Sequence, residues 1–464
     1  MMRFKSVFLA LFLVFFMLIM AACIEPSNSH DECTEFKWVV IEEATCTDSG
    51  KQEKRCIVCD KLIETERIRY LGHDFEETVI KETTCYEDGE ILIECTRCDY
   101  TDEMTESSSG HSAGEWVVIS EPNLGKPGIK EKSCMKCGEV LSTADFVNNG
   151  FRRYGKLTVN QNQLLDYNNR PVQLFGLSTH GFNFFPRFIN YETFANAQAE
   201  FGINIIRLAM YTSESGGYCQ NNGANQEKLL KMMKDAVQYA TDLDLYAIVD
   251  WHQVGAEEVA DKNPLSYVTY AKEFFDEISK TYKDNDNILY EICNEPNGTT
   301  TWADIKSYAN QVIPVIRAND PDAIIIVGTP RWSADLYSPM NDPLKYDNLM
   351  YTFHFYADSH KDYHRTMVKE AYDAKLPIFV TEHALMGSDG YGQMNLTSGT
   401  AWYSLLDECK ISYVAWNIST GPSDSSIFKS NATSPHDFSN EYLKPWGVWI
   451  KNFYRNKAGL SERT

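Results

Sequence analysis

Eight short apolar runs alternate with segments of helical periodicity between residues 172 and 416. Buried runs of this length, separated by amphipathic helices, are typical of parallel strands joined by crossover helices. After the second run, for example, Leu229, Met233 and Val237 recur at helical spacing on one face. Eight such repeats predict an α/β fold, a closed (β/α)8 TIM barrel. The runs are Val172–Leu177, Asn204–Met210, Leu245–Asp250, Ile288–Cys293, Ala323–Gly328, Met350–Phe355, Pro377–Thr381 and Ser412–Trp416.

The composition is that of a globular protein that does not bind nucleic acid. A chain of 464 residues is long enough for two or three domains. Hydrophobic residues make up 43% and charged residues 23%, a composition that excludes a wholly disordered chain. The formal net charge of −22 would repel phosphate backbones, and no basic run in the sequence offsets it. Aromatic residues make up 13%, and their flat faces suit the stacking of neutral sugars.

Polar or aromatic residues follow almost every one of the eight runs. Because the carboxyl ends of the strands form the active face of such a barrel, we expect these side chains to meet in one ring. Taken singly, each has a structural explanation, such as a buried ion pair for Arg207 or core packing for Trp416. The ring segments are Ser178–Gly181, Arg207, Asp250–His252, Asn294–Pro296, His354–Tyr356, Thr381–His383 and Trp416–Asn417.

Two carboxylates in this ring predict the cleavage of glycosidic bonds. Glu295 follows the fourth run and Glu382 follows the seventh, so the two should face each other across the barrel mouth. We assign Glu295 as the general acid/base and Glu382 as the nucleophile of a retaining mechanism, which requires a gap of about 5–5.5 Å. For these roles Glu295 must hold a proton while Glu382 stays ionised beside Arg207.

The other ring residues are expected to support these two groups and to bind the sugar. Arg207 and Tyr356 should hold the nucleophile, and His354 should neighbour the acid. Asn294 would bond the sugar 2-hydroxyl, a contact that strengthens in the transition state. Further hydroxyls and the sugar face would be bound by His180, His252 and Trp416.

From Tyr154 to Trp416 the sequence resembles glycoside hydrolase family 5, and within it the bacterial endoglucanases of subfamily 2. The segments that carry the resemblance are Gly176–Gly181, Arg207–Tyr211, Ile248–His252, Tyr290–Gly298 and Phe353–Ala357. The resemblance implies a cofactor-independent, retaining β-1,4-glucanase that cleaves inside cellulose or related β-glucans. We expect a monomer. Mixed-linkage glucan, xyloglucan and mannan are alternative substrates, and a non-catalytic glycan-binding surface protein is an alternative function.

Three departures from the family pattern leave the exact polysaccharide open. His383 follows the nucleophile where relatives usually have Trp, and Phe184 occupies the position of a sugar-stacking Trp. A substrate-binding Lys that follows the last strand in relatives is missing from Gly421–Asp424. Trp332, after the fifth run, is expected either to form a platform on the leaving side or to belong to the core.

Ten of the 13 cysteines precede residue 138, and most of them follow a repeat. Two units share the pattern C-x9-C-x2-C at a period of 39 residues, and a third unit has Leu124 in place of its first cysteine. We expect short strands around a turn in each unit. The predicted ligands are Cys46, Cys56, Cys59, His73, Cys85, Cys95, Cys98, His111, Cys134 and Cys137.

Three thiolates and one imidazole suit tetrahedral zinc, and the two-residue gap lets both sulfurs of a C-x2-C pair reach one ion. The units resemble the zinc-ribbon-like C-x2-C repeats of bacterial surface proteins. Disulfides are the alternative in an oxidising compartment. The spacing leaves open whether His30, His73 and His111 serve the unit after them, or His73 and His111 the unit before. Regular, interchangeable units argue for a structural rather than a catalytic metal.

The first residues have the features of an export signal. Arg3 and Lys5 precede an apolar run that is too short to span a membrane, and Cys23 follows two small residues. This arrangement resembles a bacterial lipoprotein signal, which implies lipid on Cys23, attachment to the membrane and a location on the cell surface. The alternatives are ordinary secretion and a retained anchor.

The sequence therefore predicts four segments. Residues 1–22 form the lipoprotein-type signal, 23–29 a tether, 30–148 the β-rich cysteine repeats and 152–460 the barrel. A hairpin formed by Gly155–Val159 and Gln163–Asp166 is expected to close the bottom of the barrel.

Overall fold

The computed structural model describes residues 33–120, 128–220, 223–254 and 262–460. The predicted signal, the tether, His30 and the lipidation site Cys23 lie outside these ranges. The chain divides into two compact units between Ser112 and Ala113. Within the described ranges, none of the helices is both long and apolar enough to cross a bilayer.

The first unit consists of two three-stranded antiparallel sheets of the same design. Corresponding strands begin 39 residues apart, as the cysteine pattern predicts, and the central strand of each sheet starts at a glycine. A Cβ on Gly50 would lie 2.5 Å from the backbone of Glu42 and Ala44, so only glycine fits this close approach. The strands are β1 (Phe36–Glu42), β2 (Gly50–Cys56), β3 (Leu62–Ile68), β4 (Phe75–Lys81), β5 (Gly89–Cys95) and β6 (Thr101–Glu106).

The first unit has almost no apolar core. Within residues 33–112, the buried apolar side chains are those of Cys46, Cys56, Cys85 and Cys95. Large apolar side chains lie on its surface instead, among them that of Trp38. Small sheets that bury so little apolar area depend on cross-links or metals for their stability.

The second unit begins with a third sheet of the same kind and continues into a short hairpin. Its three antiparallel strands are β7 (Ala113–Ser120), β8 (Gly128–Cys134) and β9 (Val140–Phe146), and β9 contacts the helix that follows the first barrel strand. The short helix α1 (Phe151–Tyr154) and the hairpin β10 (Thr158–Asn160) and β11 (Gln163–Leu165) follow.

Eight parallel strands then close into the predicted barrel. The prediction is confirmed, although several strands run beyond the predicted ends. The strands are β12 (Phe175–Thr179), β13 (Ile205–Tyr211), β14 (Tyr246–His252), β15 (Ile288–Glu291), β16 (Ile324–Val327), β17 (Leu349–Tyr356), β18 (Ile378–Ala384) and β19 (Tyr413–Ile418).

Helices surround the strands, and their ends carry the expected caps. Asn190 accepts a hydrogen bond from the Thr193 N–H at one helix start, and Gly202 ends that helix in the left-handed conformation. The described helices are α2 (Tyr191–Phe201), α3 (Gly223–Asp242), α4 (Val268–Thr281), α5 (Trp302–Asn319), α6 (Pro330–Ser333), α7 (Tyr337–Asn341), α8 (Asp362–Asp373), α9 (Leu396–Glu408) and α10 (Pro445–Ala458).

Alternation along a strand separates the layers of the barrel, as β13 illustrates. Ile206 and Leu208 face the helices and belong to the large outer core. Ile205 faces inward and joins an apolar layer at the bottom of the barrel. Arg207 follows on the inner side, and Tyr211 lies above it. The interior is therefore apolar at the bottom and charged towards the carboxyl ends of the strands.

Candidate active site and metal-ligand clusters

Arg207 connects the charged groups at the top of the barrel. Its guanidinium is completely buried and contacts three carboxylates, those of Glu291 at 2.7 Å, Asp250 at 3.0 Å and Glu382 at 3.3 Å. It also donates to the Asn294 side-chain oxygen at 2.5 Å. Burial alone would lower the pKa of Arg207, but the three carboxylates raise it above its ordinary value. A permanent positive charge therefore lies under the site.

Glu382 extends from β18 into this network. Its Oε1 accepts a hydrogen bond from the Tyr356 hydroxyl at 2.7 Å, and its Oε2 accepts one from Arg207. Burial and the neighbouring Glu295 nevertheless raise the pKa of Glu382, although His354, Arg207 and Tyr356 act in the opposite direction. The two expected partners are thus in place, but they offset the effect of burial only in part.

Glu295 lies against His354. The imidazole Nδ1 is 2.8 Å from Glu295 Oε1, and Nε2 is 3.0 Å from the hydroxyl of Thr381, which donates to Glu291 at 2.6 Å. Burial would lower the pKa of His354, but its interactions with Glu291, Glu295 and Glu382 raise it to about 9. His354 is therefore an imidazolium at neutral pH, and it donates through both ring nitrogens.

The two carboxylates predicted to act on substrate lie close together. One oxygen each of Glu295 and Glu382 and one ring nitrogen of His354 all lie within 4.8 Å of one another. This gap fits the spacing of about 5–5.5 Å between carboxyl groups in retaining glycosidases and not the ~6.5–9.5 Å of inverting ones. The same three groups are close enough to hold a cation, but His354 would first have to lose its proton.

Beside this pair, four rings form a wall. The His252 ring lies parallel to Trp416 at 5.1 Å and against Tyr211 at 4.3 Å. The His180 ring stacks on Tyr211 at 5.3 Å and lies at the same distance from Trp416. Asp250 contacts His252 Nδ1 at 2.6 Å and so fixes that ring. Burial lowers the pKa of His180 to about 4 and that of His252 well below its usual value. Both imidazoles are neutral at pH 7 and can bond sugar hydroxyls.

Two further aromatic side chains that were predicted to bind sugar, Phe184 and Trp332, are exposed. Phe184 is 45% exposed and meets His180 edge-on at 5.9 Å. Trp332 is 54% exposed, so core packing is excluded for it. Its backbone N–H donates to the carbonyl of Pro296, the residue after Glu295, from a turn in which residues 331–333 all have left-handed backbone angles. Three consecutive non-glycine residues in that region store strain, a feature that clusters at functional sites.

Comparison with known proteins identifies the family. The family model described as cellulase (glycosyl hydrolase family 5) matches residues 165–421, which is more than half of the chain. The chain belongs to glycosyl hydrolase family 5. It is an enzyme, and its barrel is the catalytic domain of a glycoside hydrolase.

Relatives of this family 5 enzyme include named endoglucanases. It is 44% identical to endoglucanase A of Butyrivibrio fibrisolvens over 298 residues, which cover 64% of this chain and 68% of that protein. It is 40% identical to an endoglucanase of Clostridium saccharobutylicum, with 64% of each chain covered. The chain thus spans about two thirds of the length of these curated relatives.

A solved structure shares the same fold. The catalytic domain of an endoglucanase from Thermobifida fusca, crystallised as a variant in complex with cellotetraose, is 36% identical to the family 5 enzyme described here. The TM-score is 0.61, and the match covers 66% of this chain and 99% of that domain.

His383, the first departure from the family pattern, faces away from the cleft. The pairing of β18 with β19 is irregular between Val380 and His383, so that Thr381 and Glu382 both face the interior while His383 points into the helix layer. Its Nδ1 donates to the Val414 carbonyl and its Nε2 accepts from the Tyr403 hydroxyl, both at 2.8 Å. Burial lowers the pKa of His383 to about 3, so it is neutral. In this family 5 enzyme, the departure changes packing behind the site and not a substrate contact.

The loop that lacks the expected lysine receives one from further along the chain. The Lys444 ammonium donates to the carbonyls of Gly421 at 2.8 Å and Ser423 at 2.6 Å. This lysine therefore holds the shape of the loop. The sequence comparison missed it because it lies more than twenty residues beyond the family position.

Asp250 and Thr381 were predicted to lie in the ring but were given no role, and two further residues of the site, Glu291 and Tyr211, were not predicted. Each lies within or at the end of a run that was interpreted only as a strand or as part of a motif. The alternation of inward and outward positions provides the signal that could have found them. Glu291, for example, is two positions after the inward-facing Leu289.

Six cysteines of the first unit form two sets that do not follow the sequence repeats. Cys56 and Cys59 lie with Cys33, which the repeat pattern had left out. Cys46 lies with His73, Cys95 and Cys98 of the next repeat. The expectation that all three cysteines of a unit meet is therefore wrong, because the loop that bears Cys46 turns towards the following sheet.

The remaining predicted ligands can be described within their own units. Cys85 is buried, and the His111 ring meets Tyr86 edge-on at 4.6 Å in the first unit. In the second unit Cys134 is buried and Cys137 is exposed.

Proposed function

We propose that the chain is a retaining endo-β-1,4-glucanase that hydrolyses internal bonds of cellulose or a related β-glucan. The observation that carries this proposal is the approach of Glu295 and Glu382 to within 4.8 Å at the mouth of a family 5 barrel. The endoglucanase names of the relatives and the cellotetraose bound to the structural neighbour support the substrate class.

In the first step the Glu382 carboxylate attacks the anomeric carbon, and the bond to the leaving oxygen breaks. Glu295 gives its proton to that oxygen, so the reducing-side chain leaves as an alcohol. Because Glu295 Oε1 contacts His354, Oε2 is the oxygen that carries the proton. In the second step Glu295 takes a proton from water, which attacks the glycosyl ester and releases Glu382. The two carboxylates carry both steps without a cofactor.

Asn294 is positioned to bind the sugar 2-hydroxyl. Its side-chain oxygen accepts from Arg207, which fixes the orientation of the amide, and one N–H donates to the Gln253 carbonyl at 3.2 Å. The second N–H remains for substrate. We assign His180 and His252 to other hydroxyls, Trp416 and Phe184 to the sugar faces and Trp332 to a platform beside the acid.

Kinetics with two leaving groups test the assignment. Glu295→Ala should lower the rate on cello-oligosaccharides by about 10³-fold or more, yet it should still release an activated phenol in a rapid burst, because such a group leaves without a proton. Glu382→Gln should lose activity on both substrates. Glu277→Gln, on the surface, is the matched control.

The stereochemistry of the wild-type product is a second test, and the product should first appear as the β-anomer. An α-anomeric product, or equal losses of Glu295→Ala on both substrates, would contradict the proposal.

A panel of soluble glucans defines the substrate. We expect the highest kcat/KM on carboxymethylcellulose, with mixed-linkage glucan, xyloglucan and mannan below it. If a purified wild-type chain binds these glucans but releases no reducing ends from any of them, the alternative of a glycan-binding surface protein is supported.

We also propose that the chain is exported and attached to the outer face of a membrane by lipid on Cys23. The basic start, the apolar run and the small residues before Cys23 support this location. Radiolabelled palmitate should label the wild-type chain in the native host, and Cys23→Ser should abolish the label and release the protein. Release of unlabelled wild-type protein would indicate ordinary secretion.

We further propose that the cysteine repeats bind structural zinc. The support is a donor set of three thiolates and one imidazole in a unit whose buried apolar side chains, within residues 33–112, are cysteines. Metal analysis and thiol titration of the purified chain test this proposal. A chain with neither zinc nor reactive thiols would indicate disulfides instead.

A further inference from the structure

Cys46 and Cys95 belong to different repeats, yet their sulfurs lie 3.7 Å apart. Cys98, at the end of the same C-x2-C pair, lies 3.4 Å from His73 Nδ1. All four ligand atoms are within 4.8 Å of one another. One repeat thus supplies a single thiolate, and the next repeat supplies a pair, with the histidine between them.

These separations match ligands around one zinc ion. A Zn–S bond of about 2.3 Å places two sulfurs of a tetrahedron roughly 3.8 Å apart. A disulfide would bring them to about 2.05 Å. In the neighbouring set, Cys33 and Cys59 lie 3.3 Å apart, which is again too far for a bond between the sulfurs.

Backbone hydrogen bonds hold both halves of the set in place. The N–H groups of Leu71 and Gly72 donate to the carbonyls of Thr45 and Cys46 at 2.8 and 3.1 Å, so the loop of the first repeat is fixed to the segment that leads to His73. On the other side, the Arg97 N–H donates to the Cys95 sulfur at 3.4 Å. The ligands are therefore positioned by the chain itself, as a metal site requires.

Two contacts fix the histidine relative to the C-x2-C pair. The His73 ring packs at 4.6 Å against the ring of Tyr100, which is two residues after Cys98. Asp74, the next residue, forms an ion pair with Arg97 at 3.0 Å, and its carbonyl accepts from the Thr96 N–H at 2.8 Å.

The sequence at the end of the array is consistent with sharing. If the first cysteine of a repeat serves the following repeat, the last repeat needs none, and Leu124 occupies that position. If each repeat bound metal through its own three cysteines, the last site would lack one of its three thiolates, because Leu124 occupies that position.

We propose that the first two repeats of this array share a zinc ion. The site formed by Cys46, His73, Cys95 and Cys98 clamps the first sheet to the second, so that neither repeat completes a site alone. This inference rests on the proposed binding of zinc, but it concerns which cysteines meet at one ion.

Zinc content of two double variants of the full chain distinguishes the assignments. Cys46→Ser with Cys95→Ser removes two ligands of one shared site, so we expect the loss of one zinc per chain. Cys46→Ser with Cys56→Ser removes ligands of two different sets, so we expect the loss of two. The reverse order would overturn the sharing and support one site within each repeat. A wild-type chain without zinc would overturn the proposed metal binding itself.

A second measurement uses the wild-type chain and does not depend on how the variants fold. Limited peroxide oxidises two neighbouring thiols to one disulfide and is reduced to water as the metal leaves. Peptide mapping should then find Cys46 joined to Cys95 or Cys98. A bond from Cys46 to Cys56 or Cys59 would contradict the shared site.

Discussion

Residues 33–112 and the barrel bury side chains of opposite kinds. In the first unit the buried apolar groups are cysteines, and large residues such as Trp38 lie at the surface. In the barrel an apolar layer fills the bottom, and Arg207 with its carboxylates fills the layer above it. The barrel therefore gains its stability from burial, whereas the repeats depend on cross-links or metals for theirs.

This contrast explains why the barrel can bury charges at its active face. Burying an ion pair costs several kcal/mol per ion before its contacts are counted, and a large apolar core can offset that cost. The repeats lack a large apolar core within residues 33–112, so they could not offset the same cost. Two predictions test this difference directly, and two more test the site that the barrel supports.

The largest effect is expected from chelation. Structural zinc contributes about 10–16 kcal/mol to the folding of small metal domains, so its removal should unfold the repeats. Protease should then cleave residues 33–112 quickly, while activity on carboxymethylcellulose stays within about twofold of the starting value. Added zinc should restore resistance, and added magnesium should not. If chelation abolished glucanase activity as well as the protease resistance of the repeats, the two regions would not differ in the source of their stability.

A smaller but still large effect is expected from Arg207→Met. The change leaves Asp250, Glu291 and Glu382 buried without their cation, which costs about 3–5 kcal/mol. Urea denaturation of the barrel measures this loss, and the zinc content should not change. Lys231→Met is the control, because its ion pair with Asp235 is exposed and is worth at most about 1 kcal/mol. Equal stabilities of the two variants would show that the network contributes little.

Tyr356→Phe should change the pH profile more than the stability. The hydroxyl lowers the pKa of Glu382, so its loss should raise that pKa further. Because Glu382 must be ionised to attack, the acid limb of kcat/KM should move to higher pH, and the value at the optimum should fall about tenfold. Tyr363→Phe, on the surface, should leave the profile unchanged. If the acid limb of kcat/KM does not move, the Tyr356 hydroxyl does not control the ionisation of Glu382.

The smallest effect is expected from Trp332→Ala. Loss of an exposed stacking face should raise KM for cello-oligosaccharides roughly three- to tenfold and leave kcat nearly constant. Trp332→Tyr should retain most of the affinity, since it keeps an aromatic face. An unchanged KM for Trp332→Ala would remove the platform from the proposed site.

The sequence predicted the barrel because each apolar run is buried on both sides. It placed several strand ends too early, as in β18, which continues from the predicted end at Thr381 to Ala384. Glu382 and His383 are polar, and polarity was interpreted as the end of burial. Their partners, Tyr356 and Arg207 on one face and Tyr403 on the other, make the burial possible and come from distant parts of the chain.

The same limit applies to the site and to the cysteines. The two carboxylates could be predicted because a motif surrounds each of them. The contact between Arg207 and Glu291 could not, because the two residues lie on β13 and β15 and their side chains meet only inside the closed barrel. The C-x2-C pairs were equally clear, since both thiols lie on one tight turn. The partner of Cys46 was not, because it lies 49 residues away on another sheet.

The proposed cross-link from one repeat to the next also affects how such a chain can evolve in length. If a stretch of 39 residues is duplicated or deleted, every remaining thiolate still meets an equivalent turn. An insertion or deletion of a partial period would leave a ligand without its set. We therefore expect relatives with this N-terminal region to differ from one another by whole multiples of the period.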